Sequence, residues 1–331
     1  MTRRSGIDPH SHEVSGVEAD KEDGRHEEDF MTIELTPELG ELSAGVLPHA
    51  HHTMARTLPA GALGTPHGRH LVALDIDGTT VQHDGTLRSP VRYAVRETVE
   101  NGHDVVIATG RSMLAAKPVI DALGLRRGYA VFSNGAVTVR LDPSLRGGME
   151  IIDQQTFAPR QVLDTLRGYF PTGALAVERV GVGFDVNRPF PPGELDGEVR
   201  EVSWRRLTRR PTTRVTFCDP DTDVEAFAGH VGAMGLHGVN YAVGFTAWLD
   251  ITALGVSKAS ALEMVRGLVG APIERTVAVG DQRNDLEMLA WAGCGVAMGN
   301  APAEVAAVAD YVTGHVDDDG LADVLRSLPG M

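Results

Sequence analysis

The chain of 331 residues has room for two domains and a sizeable core, and its 42% hydrophobic and 23% charged content is that of a globular protein. A formal net charge of −15 argues against a nucleic-acid surface or an anionic membrane as the main partner. The two cysteines, Cys218 and Cys294, form no C-x-x-C pattern, which disfavours a disulfide framework and a zinc site, and no apolar run reaches the roughly 18 residues that read as a membrane span.

Residues 1–67 read as a flexible tail. The first 68 residues carry 12 Asp and Glu against 5 Lys and Arg, with no sustained period, and such a segment cannot bury enough surface to offset its ordering entropy. It lacks the apolar stretch of a secretory signal, so a cytoplasmic location is expected. His49, His51 and His52 read as part of a linker. From Gly68 the texture changes. His70-Leu71-Val72-Ala73-Leu74 runs into Asp75-Ile76-Asp77-Gly78-Thr79-Thr80, the pattern of a strand buried on both faces that ends in two carboxylates. Arg92 to Asn101 reads as an amphipathic helix and Asp104 to Ala108 as a second buried strand closed by Thr109-Gly110-Arg111. Ser112 to Leu123 reads as a helix, and Tyr129 to Phe132 as a third strand closed by Ser133-Asn134-Gly135. This order predicts a doubly wound, Rossmann-like parallel sheet of the α/β class. The rhythm stops near Thr138, and residues 151–249 read as an inserted α+β cap with strands at Ala174–Val180, Gly183–Val186, Arg214–Phe217 and Ala247–Ile251. It then returns with a helix from Lys258 to Leu268, a strand from Thr276 to Val279, a helix through Leu286 to Trp291, and short strands at Gly295–Met298 and Tyr311-Val312. The expected division is a tail over 1–67, a core over 68–150 and 250–331, and a cap over 151–249.

In such a sheet ligands bind outside the carboxyl ends of the strands. Asp75, Asp77, Thr109 and Gly280-Asp281 all follow predicted strands, and Lys258 begins a helix just before one. Several Asp, a Lys and a Thr gathered at one edge suit a single task. Carboxylates hold Mg²⁺, a hard cation that prefers oxygen. The cation, the lysine and backbone N–H groups neutralise a phosphoryl group in transit, and an Asp can act as nucleophile.

Asp75-Ile76-Asp77-Gly78-Thr79, Thr109-Gly110-Arg111, Lys258 and Gly280-Asp281-x-x-Asn284-Asp285 resemble, in order, the four motifs of the haloacid dehalogenase superfamily. Ser133-Asn134-Gly135-Ala136 and the position of the insertion look like its Cof-type branch, and the resemblance covers residues 69–331. It implies that Asp75 is the nucleophile and a metal ligand. Asp77 would be the acid that protonates the leaving alcohol and then the base on water, with its backbone carbonyl on the metal and Thr86 or Arg111 positioning it. Thr109 and the Gly110 N–H would hold phosphate oxygens, Lys258 would pair with phosphate and Asp75, Asp281 would complete the metal site, Asp285 would act on the metal directly or through water, and Asn284 would lie near phosphate or Lys258. Ala259 departs from the glycine the family usually has after its lysine.

The implied enzyme is a Mg²⁺-dependent phosphatase for a small phosphorylated metabolite: a sugar phosphate, a phosphorylated cofactor or a nucleotide. Neither nucleic acid nor membrane is expected as partner, and the sequence does not specify the oligomeric state. A mutase or phosphotransferase, and a receiver-like protein phosphorylated without turnover, are the alternatives. Cap residues that could meet the leaving group are Glu178, Arg179, Asp185, Arg188 and Arg214.

Overall fold

A computed structural model of the chain describes residues 56–57, 68–219, 222, 227, 229–231, 234, 236, 239–243 and 247–329. Most of the expected tail, its histidine cluster and most of residues 223–234 lie outside the described residues. All described residues belong to one compact unit, His51–Met331.

Two sheets organise them. The first half of the chain supplies β1 (Arg56–Thr57), β2 (Leu71–Leu74), β3 (Asp104–Ala108), β4 (Gly128–Phe132), β5 (Val137–Leu141) and β6 (Met149–Gln154), with helices α1 (Ser89–Glu100) and α2 (Met113–Leu123). An inserted module follows, with helix α3 (Arg160–Tyr169), strands β7 (Ala174–Arg179), β8 (Gly183–Val186) and β9 (Glu198–Glu201), short helix α4 (Trp204–Leu207), and strands β10 (Val215–Cys218), β11 (Val239–Val243) and β12 (Trp248–Ala253). The chain closes with α5 (Lys258–Val269), β13 (Thr276–Gly280), α6 (Leu286–Trp291), β14 (Cys294–Ala297), α7 (Ala303–Val308), β15 (Tyr311–Val312) and α8 (Gly320–Arg326).

The first sheet has the order β1-β15-β14-β13-β2-β3-β4-β5-β6 and is parallel from β1 through β4. Strand periodicity explains its layering. Val72 and Leu74 pack with α1, α2 and α8 on one face, whereas Leu71 and Ala73 pack with α5, α6 and α7 on the other. Burying each of these large aliphatic side chains stabilises the fold by about 2 kcal/mol. Helices on both faces make β2 wholly buried, which is why its sequence runs apolar without alternation. Beyond β4 the pairing turns antiparallel through β5 and β6. The turn Ser133–Gly135 is too short for a crossover helix, so the chain must reverse beside the strand it has just left. Within the segment expected as tail, Arg56–Thr57 pairs in parallel with Tyr311–Val312 at the sheet edge.

The second sheet has the order β11-β12-β10-β7-β8-β9. Its Leu175, Val177, Val215, Phe217, Leu249 and Ile251 pack with Val162, Leu163 and Leu166 of α3. Alternation places Glu178, Arg214, Thr216 and Asp250 on the opposite face. On the segment that joins β6 to α3, Phe157 exchanges two backbone hydrogen bonds of 3.0 Å with Thr212, which precedes β10. Among the described residues no helix is long and apolar enough to cross a membrane.

Candidate active site

The parallel register brings the ends of β2, β3 and β13 to one edge, and the acidic residues follow from it. Asp75 leaves β2 and Asp281 leaves β13, its immediate neighbour. The intervening loop turns back at once: Thr80 and Val81 donate backbone N–H to the Ile76 carbonyl at 2.8 Å. Gly78 makes this possible. Its φ is +73°, and a Cβ there would lie 2.2 Å from Asp281 Oδ2. Thr79 Oγ1 donates to Asp281 Oδ1 at 3.1 Å.

Lys258 arrives from the other side. Ser257 caps α5, accepting from the Ser260 N–H and completing a capping box, and this fixes the first helical residue against the sheet. Its ammonium is fully buried and donates to Asp75 Oδ1 and Asp285 Oδ1, each at 2.6 Å. Asp285 Oδ2 accepts the backbone N–H groups of Asp281 and Gln282, both at 3.0 Å. Both Asp285 oxygens are therefore engaged, one holding the lysine and one shaping the turn after β13.

Asp75, Asp281 and Asp285 are buried and offer oxygens within 4.8 Å of one another. One ammonium faces three carboxylates, and Asp75 and Asp281 resist ionisation, by burial first and by their acidic neighbours second. Burial pushes the Asp75 carboxyl well above the usual range; Lys258 opposes this, and Asp285, Asp281 and Asp77 add to it. Asp281 is pushed up to about 6, by burial first and then by Asp285. Burial alone would lower Lys258, but Asp285 and Asp75 hold it above its ordinary value. Hard oxygen donors with uncompensated negative charge, in a site closed to bulk water, fit a divalent cation.

Asp77 lies outside this buried group. Its side chain is 53% exposed, and Arg111 grips it with Nε to Oδ2 at 2.8 Å and Nη2 to Oδ1 at 2.5 Å. Thr109 is buried, and its hydroxyl accepts the Arg111 N–H at 3.1 Å. The Thr109 loop and the Ser133 turn are joined by main-chain bonds, Asn134 N–H to the Thr109 carbonyl at 3.0 Å and Ser133 N–H to the Arg111 carbonyl at 2.9 Å. Ser133 and Asn134 have φ of 51° and 54°, a conformation uncommon outside glycine and here held by those bonds. Gly135, at φ +101°, lets the turn sit against Ser257, whose carbonyl a Cβ would meet at 2.1 Å. Asn284 Nδ2 donates to Asn134 Oδ1 at 3.0 Å, directly over Gly110.

Of the five module residues singled out in the sequence, two reach this edge. Glu178 accepts from Ser133 Oγ at 2.8 and 3.0 Å, and Arg214 Nη1 donates to the Gly110 carbonyl at 2.6 Å. Arg179 and Asp185 pair with each other at 3.0 Å, and Arg188 donates to the Pro171 and Thr172 carbonyls. Sequence reasoning passed over Asn300, whose Nδ2 donates to the Gly78 carbonyl at 2.9 Å and to Asp281 Oδ2 at 3.1 Å. Its position three residues past β14, at the same carboxyl edge, was the available signal. Thr79 and Gln282, which also bond Asp281, sit inside the motifs but were assigned no role.

Residues 72–170 and 200–325 match the family model of haloacid dehalogenase-like hydrolases. A 5-amino-6-(5-phospho-D-ribitylamino)uracil phosphatase of Bacillus subtilis is 28% identical over 77% of this chain and 94% of its own. An HMP-PP phosphatase of Serratia proteamaculans is 27% identical over 77% of this chain and 94% of its own. Among solved structures, a phosphatase of the haloalkanoate (HAD) superfamily from Bacteroides thetaiotaomicron superposes with a TM-score of 0.64 at 26% identity, covering 86% of this chain and 98% of that one. With its motifs gathered at one sheet edge beneath an inserted α+β module, the chain belongs to the haloacid dehalogenase-like hydrolases, in their Cof-type phosphatase branch.

Proposed function

We propose that the enzyme is a Mg²⁺-dependent phosphatase that hydrolyses a small phosphorylated metabolite through a phospho-Asp75 intermediate. The observation that carries this reading is the buried Lys258 bridging Asp75 and Asp285 beside Asp281. Bound Mg²⁺, held by Asp75, Asp281 and the Asp77 carbonyl, would supply charge neutralisation to the phosphoryl oxygens. The remaining work falls to the chain. Lys258 favours the ionised form of Asp75 against the burial that opposes it. A carboxylate oxygen of Asp75 forms a bond to phosphorus as the bond to the leaving alkoxide breaks, and Asp77 gives that alkoxide its proton. Asp77, now ionised, takes a proton from water, which attacks phosphorus and releases Asp75. Arg111 donates to both Asp77 oxygens and so holds the carboxyl group in place for these steps. Thr109 and the Gly110 N–H sit where phosphate oxygens would dock, with Asn284 alongside.

In this reading residues 68–150 and 250–331 form the catalytic core, and residues 151–249 form a cap that supplies leaving-group contacts. The two curated relatives are named for a phosphorylated ribityl-aminouracil and for HMP-PP. They support a sugar phosphate, a phosphorylated cofactor or a nucleotide as the substrate class.

The test is Asp75→Asn, assayed with p-nitrophenyl phosphate and Mg²⁺. The expected kcat is below about a hundredth of the parent's, with unchanged circular dichroism. Retention of more than that sinks the assignment. A screen of phosphorylated metabolites ranked by kcat/KM then identifies the substrate.

A further inference from the structure

A second concave site lies away from the acidic edge. It is a cavity of about 650 Å³, within the range that holds small ligands. Six arginines line it: Arg179, Arg200, Arg205, Arg206, Arg209 and Arg210. It opens on the helix-covered face of the module's sheet. Along β7, Val177 packs with α3 on that face and Arg179 follows two residues on, whereas the Glu178 carboxylate between them passes to Ser133 on the other. Likewise Phe184 and Val186 pack with Ala176 on the Glu178 side, which turns Asp185 toward the cavity. The lining includes none of Asp75, Lys258, Asp281 and Asp285, and of the module residues that reach the acidic edge only Glu178 belongs to it.

Its charge is one-sided. Asp185 is shared by Arg179 at 3.0 Å, Arg200 at 2.7 Å and Arg206 at 3.6 Å. Arg205, Arg209 and Arg210 pair with no carboxylate among the described residues. A chain of net charge −15 thus concentrates guanidinium groups around one hollow, where they repel one another. A polyanion would relieve that repulsion, and planar guanidinium forks match phosphate oxygens two at a time. The strongly negative chain favours a compact anion over an extended nucleic acid.

The cavity wall also carries the attachment of the module. Thr212, in the lining, pairs with Phe157, which lies on the segment that carries the chain from the first sheet into the module. Thr213 Oγ1, from the same wall, donates to Glu178 Oε2 at 2.9 Å, and Glu178 in turn holds Ser133. We propose that this arginine-lined cavity is a second, non-catalytic site for a small molecule bearing two or more phosphoryl groups, and that its occupancy modulates hydrolysis through the module's attachment.

Inorganic tripolyphosphate is the probe. Calorimetric titration without metal, on the full chain carrying Asp75→Asn, is expected to show one site whose affinity falls as salt rises. The combined substitution R205S/R209S/R210S, at exposed positions outside any ion pair, should keep the parent's circular dichroism and p-nitrophenyl phosphate activity but weaken tripolyphosphate binding at least about tenfold. With Mg²⁺ in excess, tripolyphosphate should change the parent's kcat/KM at least about twofold and leave the triple variant's unchanged. No binding, or binding the triple substitution leaves intact, would overturn the site. An equal effect of tripolyphosphate on both enzymes, or none on either, would overturn its regulatory role. The binding arm needs neither metal nor turnover, so its outcome is independent of the phosphatase reading.

Discussion

Asp285 shows how one buried carboxylate can act through its neighbours. With Oδ1 on Lys258 and Oδ2 on two backbone N–H groups, three of its roughly four acceptor positions are already used by the protein. Asp285→Asn keeps the shape but removes the charge that steadies the ammonium. We expect kcat to fall about 10- to 100-fold, the scale on which supporting residues of a charged site act. The Mg²⁺ concentration giving half-maximal activity should stay within about threefold of the parent's. A rise in that concentration in step with the loss of kcat would make Asp285 a direct metal ligand instead. The residues that were legible from sequence share one property: Asp75, Thr109 and Asp281 each end an apolar run, and Lys258 starts a periodic helix. Asn300 ends no motif, and the partnership of Asn134 with Asn284 spans 150 positions without any local mark. Side-chain pairings of that kind depend on tertiary register, which composition and period do not encode.

At the scale of elements, long apolar runs disclosed themselves and polar ones did not. β2, β3, β4 and β13 lie at the centre of the sheet, and each carries an apolar run of three or four residues: LVAL, VVIA, YAVF and VAV. β6 and β9 expose most of their residues, so MEIIDQ and EVRE carry no strand signature of their own. The start of β2 also hides a pH-sensitive junction. The His70 N–H donates to His103 Nδ1 at 3.0 Å, leaving His103 Nε2 to donate to the Pro329 carbonyl at 3.0 Å. This ties β2, β3 and the end of the chain. Burial lowers the His70 pKa below its ordinary 6.5, with His103 and Arg275 adding to the effect and the Gly68 carbonyl opposing it. The unfolded chain then takes up a proton more readily than the folded one, so this stabilisation is present above about pH 6.5 and lost as pH falls below it. In urea unfolding at pH 7 and pH 5, His70→Gln should lose less stability between the two than the parent. Equal losses in both proteins would remove His70 as a source of acid sensitivity.

At the scale of the whole molecule, the proposed cap meets the core through buried polar contacts. Arg214 donates to the Gly110 carbonyl and lies 3.6 Å from both Glu178 and Asp250, while Glu178 accepts from Ser133 and Thr213. These side chains grip the two turns that carry Thr109 and Ser133, so in the proposed reading a leaving group enters between them when the grip is released. Removing Arg214 would leave the buried Glu178 and the half-buried Asp250 without their cation, at a cost of several kcal/mol, and confuse opening with unfolding. Ser133→Ala is cleaner, because Glu178 keeps Thr213 and Arg214 and global stability should drop by about 1 kcal/mol. A loss of that size confined to the cap–core contact corresponds to about fivefold more frequent opening. Amide hydrogen exchange at Gly110, Arg111, Asn134 and Gly135 should therefore quicken about fivefold, while β2 and β13 exchange as in the parent. The KM for p-nitrophenyl phosphate, whose small leaving group needs few cap contacts, should change less than that for the metabolite the screen ranks first. Exchange that quickens equally in β2 would show the substitution to be merely destabilising, and exchange unchanged at the two turns would show that Glu178 and Ser133 do not control access to Asp75.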